Sequence, residues 1–375
     1  MFEQFALVEA RPEAISMVLA QWRQQSRDLG VVVLLPEAEK DQVPGIQGVC
    51  RALGLPLIGA VFPALVTNAG FTTQGAWLIG LAPMPPWFLL QDVTTDANAA
   101  AARIGKAVRQ AYRPATDQAT STLFFIFDAM IPNIGSLLSG VYQDLHDRVR
   151  YAGINAGSET FQPMPCLFDR ESLVANAVAG LLLPDAHAIV KHGYPAANTQ
   201  MQAISTIGNR INTINGRPAF EVYQEVIDAD FGVRLTRENF YDYAVHFPFG
   251  LIMLTEVVVR IPVAFDEDGA IICIGEVPPN SVLRLLRAPA LAESDCVAAV
   301  AADLKSRSST TRDTLVTFYC AGRRLHLGAA AAQELHQLRE MAGVSQLAGA
   351  LSLGEISSFE DFGIPVFHNA ALVCL

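Results

Sequence analysis

Phe318-Tyr319-Cys320-Ala321-Gly322-Arg323 is followed by Ser352-Leu353-Gly354-Glu355-Ile356 and then by Phe367-His368-Asn369-Ala370-Ala371-Leu372-Val373. The first of these closes an apolar run, 315–320, that reads as a buried strand. The next segment, 329–342, carries the pattern of a helix, and Leu347-Ala348-Gly349-Ala350-Leu351 returns as a second apolar run. Apolar strands alternating with helices are the signature of α/β architecture.

The same alternation extends toward the start of the chain. Ile15, Val18, Leu19 and Trp22 share one face of a helix expected within 5–27, and 31–35 reads as a buried strand. A helix over 43–53 precedes a strand and turn over 57–66, where Gly59 lets backbones approach closely. Asn68-Ala69-Gly70 marks a turn before a strand at 71–81, and Asp96 is placed to cap a helix over 97–112. A buried strand at 123–127, a helical pattern at 134–150 and a strand at 185–191 follow. Ile214-Asn215-Gly216-Arg217-Pro218-Ala219 is a turn into a helix, with Pro218 suited to its first turn. Leu57-Ile58-Gly59-Ala60-Val61 and Leu347-Ala348-Gly349-Ala350-Leu351 share an apolar-apolar-Gly-Ala-apolar order, which points to two related α/β halves.

A chain of 375 residues has room for two domains, each with its own core. With 51% hydrophobic and only 17% charged residues, membrane insertion has to be tested first. A spanning helix needs roughly 20 consecutive apolar residues. Here 123–131 is cut by Asp128, and 78–90 is broken by Pro83, Pro85 and Pro86, so no membrane span is expected. Glu3, Glu9, Arg11 and Glu13 stand where a signal peptide would be apolar, and a cytoplasmic location is expected. The net charge of −11, without a Lys/Arg cluster, argues against nucleic acid. Six cysteines without a CxxC pair read as buried thiols rather than a disulfide framework.

Phosphate loops, GxGxxG turns, GxSxG elbows and HExxH helices are absent from the sequence. None of the seven His residues is spaced to put two ligands on one helical turn, so a protein zinc site is not expected. Asp266 and Asp268 read as a solvated turn.

The order of the motifs resembles the FIST proteins, a bacterial family of intracellular signal transduction. Gly153-Ile154-Asn155-Ala156-Gly157 leading to Pro165-Cys166-Leu167-Phe168 is similar to the FIST Gly-Gly-x-Ala-Gly turn and its Pro-Cys-x-Phe strand. His192-Gly193 and the run from Ile214 to Ala219 are similar to the end of the family's N-terminal domain, and the three quoted C-terminal segments to its C-terminal half. Asn155 stands where a Gly is common, and Gly59-Ala60-Val61-Phe62-Pro63 departs from the Gly-Cys-Ser version. The resemblance divides the chain into a helical extension at 1–27, a FIST N-terminal domain at 28–216 and a FIST C-terminal domain at 217–375.

It implies two mixed-sheet α/β domains forming a non-enzymatic sensor. Such a sensor binds a small ligand and signals to a partner such as a histidine kinase or a cyclic-dinucleotide enzyme. The expected ligand positions are Asn155, Gly157 and Ser158 in the turn, His192 in its loop, and Arg323. Arg323 lies just past the carboxyl end of a predicted strand, where ligands of α/β sheets gather. Its competing role is to pair with Glu355 or Asp361. Some relatives are haem proteins that sense nitric oxide, so haem b is the alternative occupant. Haem needs an axial ligand in an apolar cleft: His192, His246 beside Tyr243 and Phe247-Pro248-Phe249, or His368. The other role for His368 is to bond neighbouring backbone and pin the last strand. A third reading is an enzyme using Cys166 or Cys320 with a nearby His.

Overall fold

Three apolar strand pairs organise the chain. In each, two parallel strands are joined by a helix: Gly30–Pro36 with Leu57–Phe62, Thr122–Asp128 with Arg150–Ala156, and Thr314–Cys320 with Gln346–Ser352. The connecting helices are Val43–Leu53, Ile134–Leu145 and Ala330–Ala342. The structure is a computed structural model and describes residues 2–93, 96–111, 121–254, 256–307, 313–359 and 362–375.

The three units have one plan. An antiparallel return strand lies beside the first parallel strand: Ala76–Leu81, Val178–Leu183 and Leu372–Cys374 respectively. An edge strand completes that side: Phe2–Val8, Trp87–Leu90 and Ile189–Lys191. Between its second strand and its return strand, each unit sends a hairpin onto a different unit's sheet. Leu65–Thr67 of the first unit pairs with the third, Glu355–Ser358 of the third pairs with the second, and Leu167–Asp169 of the second pairs with the first. The exchange closes into a ring, so the units share a core that includes Leu34, Val61, Phe124, Ile154, Phe318 and Ala350.

The echo between Gly59 and Gly349 is a register identity, and it has a third member. Gly59 stands opposite Val33 and Phe168, Gly153 opposite Phe125 and Ile356, and Gly349 opposite Thr317 and Val66. At each position a first-strand residue and a swapped hairpin flank the same glycine. A Cβ on Gly349 would lie 1.8 Å from the Thr317 carbonyl oxygen, which is backbone and cannot swing aside. Gly349→Ala is therefore expected to destabilise by about 1–3 kcal/mol. Gly48→Ala, on a helix with open space around the added carbon, should gain about 0.5–1 kcal/mol. Urea midpoints of the two variants check the contrast, and equal effects would refute it.

The third unit is interrupted after Ile189–Lys191 by a separate antiparallel sheet over 196–286. Its strand order begins with Glu256–Arg260, Phe249–Met253, Ser281–Leu286 and Ala196–Ile207. Helix Ala219–Phe231 covers it around a core of Tyr223, Phe240, Phe249 and Leu283. The inserted sheet is pinned to the three-unit body. Arg260 Nη1 donates to the Phe367 carbonyl at 2.8 Å, Ile261 N–H donates to Asn369 Oδ1 at 3.1 Å, and Ser136 Oγ donates to Glu276 at 2.6 Å.

Several local expectations are corrected. The segment expected as one helix from residue 5 is strand Phe2–Val8 followed by helix Pro12–Gln25. All four residues of the helical face lie past Pro12, which presets the first turn, while Phe5 is drawn into a ladder opposite Ile79. The strand expected over 71–81 is split, because Gly70–Thr72 belongs to the swapped hairpin and Ala76–Leu81 to the home sheet. The strand over 185–191 shortens to Ile189–Lys191, since Asp185 turns with a positive φ of 52°. Asp96 caps its helix as expected, its Oδ1 accepting from the N–H groups of Asn98 and Ala99. That helix is described over Ala97–Ala111; Tyr112 lies outside the described residues.

Candidate ligand cleft

A cleft of about 990 Å³ opens where the second unit, the third unit and the inserted sheet meet. Arg150, Tyr151 and Ala152 come from the start of a second-unit strand. Ile189 to Tyr194 form the third unit's edge and loop, while Glu256 and Val257 belong to the inserted sheet. Ser357, Ser358 and His368 come from the hairpin that the third unit lends to the second, and Asp303 and Arg307 from helix Cys296–Arg307. The cleft thus lies at the amino ends of the second unit's parallel strands. Their carboxyl ends, where a ligand of an open sheet would sit, are sealed by the hairpin crossings.

His192 and His368 face this cleft with ring centroids 6.5 Å apart. The Tyr194 N–H donates to His192 Nδ1 at 3.0 Å, so Nδ1 accepts and Nε2–H donates to the Val257 carbonyl at 3.1 Å. Burial pushes its pKa down to about 4, holding this neutral tautomer. His192 thereby fastens the loop of the third unit to the edge strand of the inserted sheet. His368 Nε2 lies 2.8 Å from Ser357 Oγ, so the side chain bonds a cleft hydroxyl rather than neighbouring backbone. Its Nδ1 is buried with no hydrogen-bond partner among the described residues. Burial first, then the neighbouring His192 and Arg260, hold this imidazole well below its usual range, hence neutral.

The other anticipated ligand positions lie elsewhere. Asn155 is buried inside its strand, its N–H bonded to the Gly354 carbonyl and its own carbonyl to the Leu353 N–H. Gly157 N–H donates to the Val61 carbonyl, and Ser158 Oγ pairs with Thr160 Oγ1 at 2.8 Å. These residues form a crossing between units and do not line the cleft. Arg323, 1% exposed, already holds a carboxylate: its Nε and Nη2 donate to Glu334 at 2.7 and 2.5 Å. Tyr319 OH donates to the same Glu334 at 2.6 Å, and Arg323 Nη1 donates to the His192 carbonyl at 2.7 Å. The partner is therefore Glu334 and not Glu355, whose carboxylate accepts from Ser352 Oγ and the Ala371 N–H. Asp361 lies outside the described residues.

Sequence reading missed Glu334 although a signal was present. It shares the buried stripe of its helix with Ala331, Leu335 and Leu338, and an acid on an apolar stripe calls for a buried partner. Ser357 was missed as well, since a serine on a half-exposed strand carries no local mark.

The residues do not fit haem. Both ring nitrogens of His192 are already bonded, and the cleft walls carry Asp147, Arg150, Lys191, Asp303 and Arg307, whereas a haem site needs apolar walls. His246 lies outside this cleft, its Nδ1 2.7 Å from His326 Nδ1. The two cysteines weighed as nucleophiles are fully or almost fully buried, and burial pushes both thiols up, so neither is a thiolate at neutral pH.

Fold and cleft together define a two-domain α/β chain with a ligand-sized cavity where its parts meet. Family models match the FIST N domain over residues 28–217 and the FIST C domain over residues 219–358. The chain therefore belongs to the FIST family, whose domains are sensory modules of signal transduction. No curated protein matches it. The division between the two matched segments falls inside the inserted sheet, where Thr213 pairs with Pro218, so that sheet carries residues of both. Among the described residues, no helix is long and apolar enough to cross a membrane.

Proposed function

We propose that this chain is a non-enzymatic cytoplasmic sensor that binds a small molecule in the cleft and reports its occupancy to a partner protein, such as a histidine kinase or a cyclic-dinucleotide enzyme. One observation carries the reading: the cleft has walls from both FIST segments, and His368, ten residues past the second, adds a buried Nδ1 with no hydrogen-bond partner among the described residues. Its volume is at the upper end of the usual range for small-molecule sites, about 300–1,000 Å³. A neutral imidazole whose Nε2 meets Ser357 can donate or accept at Nδ1, so it supplies orientation without fixing the ligand's polarity.

The route to a partner follows from the same geometry. The His192 to Val257 bond crosses from the body to the inserted sheet within the cleft wall. A ligand that prefers one arrangement of these two parts shifts their population, and the partner reads that shift.

The test is a thermal-shift screen of amino acids and other small metabolites on wild type and Ser357→Phe, which fills the cleft beside His368. A true ligand at about 100 times its Kd should stabilise wild type by about 2.7 kcal/mol and leave Ser357→Phe unmoved. Hits that stabilise both proteins equally would move the site elsewhere.

A further inference from the structure

Resting on that reading of the cleft, we infer that its ligand is a short peptide, bound extended along the sheet edge Ile189–Lys191 with its main chain paired to Val190. The register of the third unit's sheet gives the first reason. Cys320 N–H donates to the Ala371 carbonyl and Leu375 N–H to the Val316 carbonyl, so the odd-numbered residues of the last strand face Thr314–Cys320. Leu372 and Cys374 therefore face the other way, toward Lys191 and Ile189. Val190 lies between those two, so its N–H and C=O point away from the sheet and toward the cleft that it lines. Among the described residues, Ile189–Lys191 is the outermost strand of its sheet. Glu355–Ser358, which also reaches the cleft, has a strand on each side and no free ladder to offer.

The inserted sheet brings a second edge to the same cleft. Glu256–Arg260 is outermost in its sheet. Leu286 N–H donates to the Pro248 carbonyl, so the even-numbered residues that follow, through Ile252, face Ser281–Leu286 and not Glu256–Arg260. Val257, opposite Ile252, is thus turned outward: its carbonyl accepts from His192 Nε2, and its N–H points the same way. His368 Nδ1 is the third group, on a ring 6.5 Å from that of His192. A neutral imidazole there accepts from an amide N–H or donates to an amide C=O. Backbone N–H, backbone C=O and a neutral imidazole complement an amide chain. A residue inside a peptide exchanges two bonds with Val190, as an antiparallel partner does, and main-chain pairing of this kind is a general mode of peptide capture. A phosphate or a carboxylate has no N–H to answer the Val190 carbonyl, and a lone amino acid gives up the hydration of two charges where an amide gives up none. Three residues span about 10 Å as a strand, and the cleft of about 990 Å³ admits that length.

The test is calorimetric titration of the full chain with N-acetylated, C-amidated tripeptides that carry each standard residue between two alanines. At least one should bind saturably. Methylating its amide nitrogens one at a time should weaken it by about tenfold at alternate positions only, because alternate nitrogens face the edge and each lost bond costs about 1.4 kcal/mol. Val190→Pro removes the outward N–H without breaking a ladder bond and should cost about the same tenfold, while Val190→Ala keeps the N–H and should bind like wild type. The methylated peptides are read on wild type, so they decide the matter even where Val190→Pro does not fold. No tripeptide binding, or binding indifferent to every methylation, would overturn the inference. Ser357→Phe separates this inference from the cleft itself: a screened metabolite lost in Ser357→Phe, with no tripeptide bound by wild type, keeps the cleft and removes the peptide. Tripeptides that bind Ser357→Phe as well as wild type would remove both.

Discussion

Arg323→Ala should lower stability by about 3–5 kcal/mol, the cost of leaving one charge of a buried pair without its partner. Both members of the pair are 1% exposed, and the guanidinium makes two bonds to Glu334 and further bonds to the His192 carbonyl and Ser294 Oγ. Removing it strands the Glu334 carboxylate in the core, where Tyr319 OH still donates to it. An exposed ion pair would lose no more than about 1 kcal/mol, so urea unfolding distinguishes the two descriptions. The double variant Arg323→Met with Glu334→Leu should recover much of the loss, because it removes both charges and keeps the volume. A loss of about 1 kcal/mol or less in the single variant would contradict a buried pair.

Glu355→Gln should change how stability depends on pH. The Glu355 carboxyl is fully buried, accepting from Ser352 Oγ at 2.5 Å and from the Ala371 N–H at 3.2 Å. Burial pushes its pKa up from 4.5 to about 7, against the opposing pull of those bonds. The folded state therefore holds this proton more tightly than the unfolded state does. Below pH 4.5 both states are protonated and the group's contribution is fully present; as pH rises toward 7 the unfolded chain ionises first and stability falls. The full difference is roughly 3 kcal/mol. Glu355→Gln cannot ionise, so wild type should lose that much relative to the variant between acidic and mildly alkaline solution. Urea titrations of both proteins at several pH values give the difference directly, and a difference that stays flat with pH would show that the buried carboxyl is not displaced upward.

These predictions concern groups whose partners are distant in the chain, and that is where sequence and structure part. The buried strand at 315–320, the helix at 43–53 and the cap at Asp96 were legible, because apolar period and capping chemistry belong to neighbouring residues. The glycine echo was visible at Gly59 and Gly349, but Gly153 escaped because Ile154 and Asn155 alter the order around it. His192 and His368 were singled out, and both line the cleft. Arg323 was singled out for its place beyond a strand, but a carboxylate eleven residues along the chain had already claimed it.

From sequence alone came the α/β character, the resemblance to the FIST family, the buried thiols and the lack of familiar catalytic motifs, all properties of local pattern and composition. Tertiary structure decided which sheet each hairpin joins, that the related units number three, and that the cleft opens at the amino ends of the second unit's strands. The physical reason is that an apolar strand satisfies its backbone and buries its faces equally well beside several others. The choice among them depends on how the chain crosses the shared core, and no run of neighbouring residues encodes that crossing.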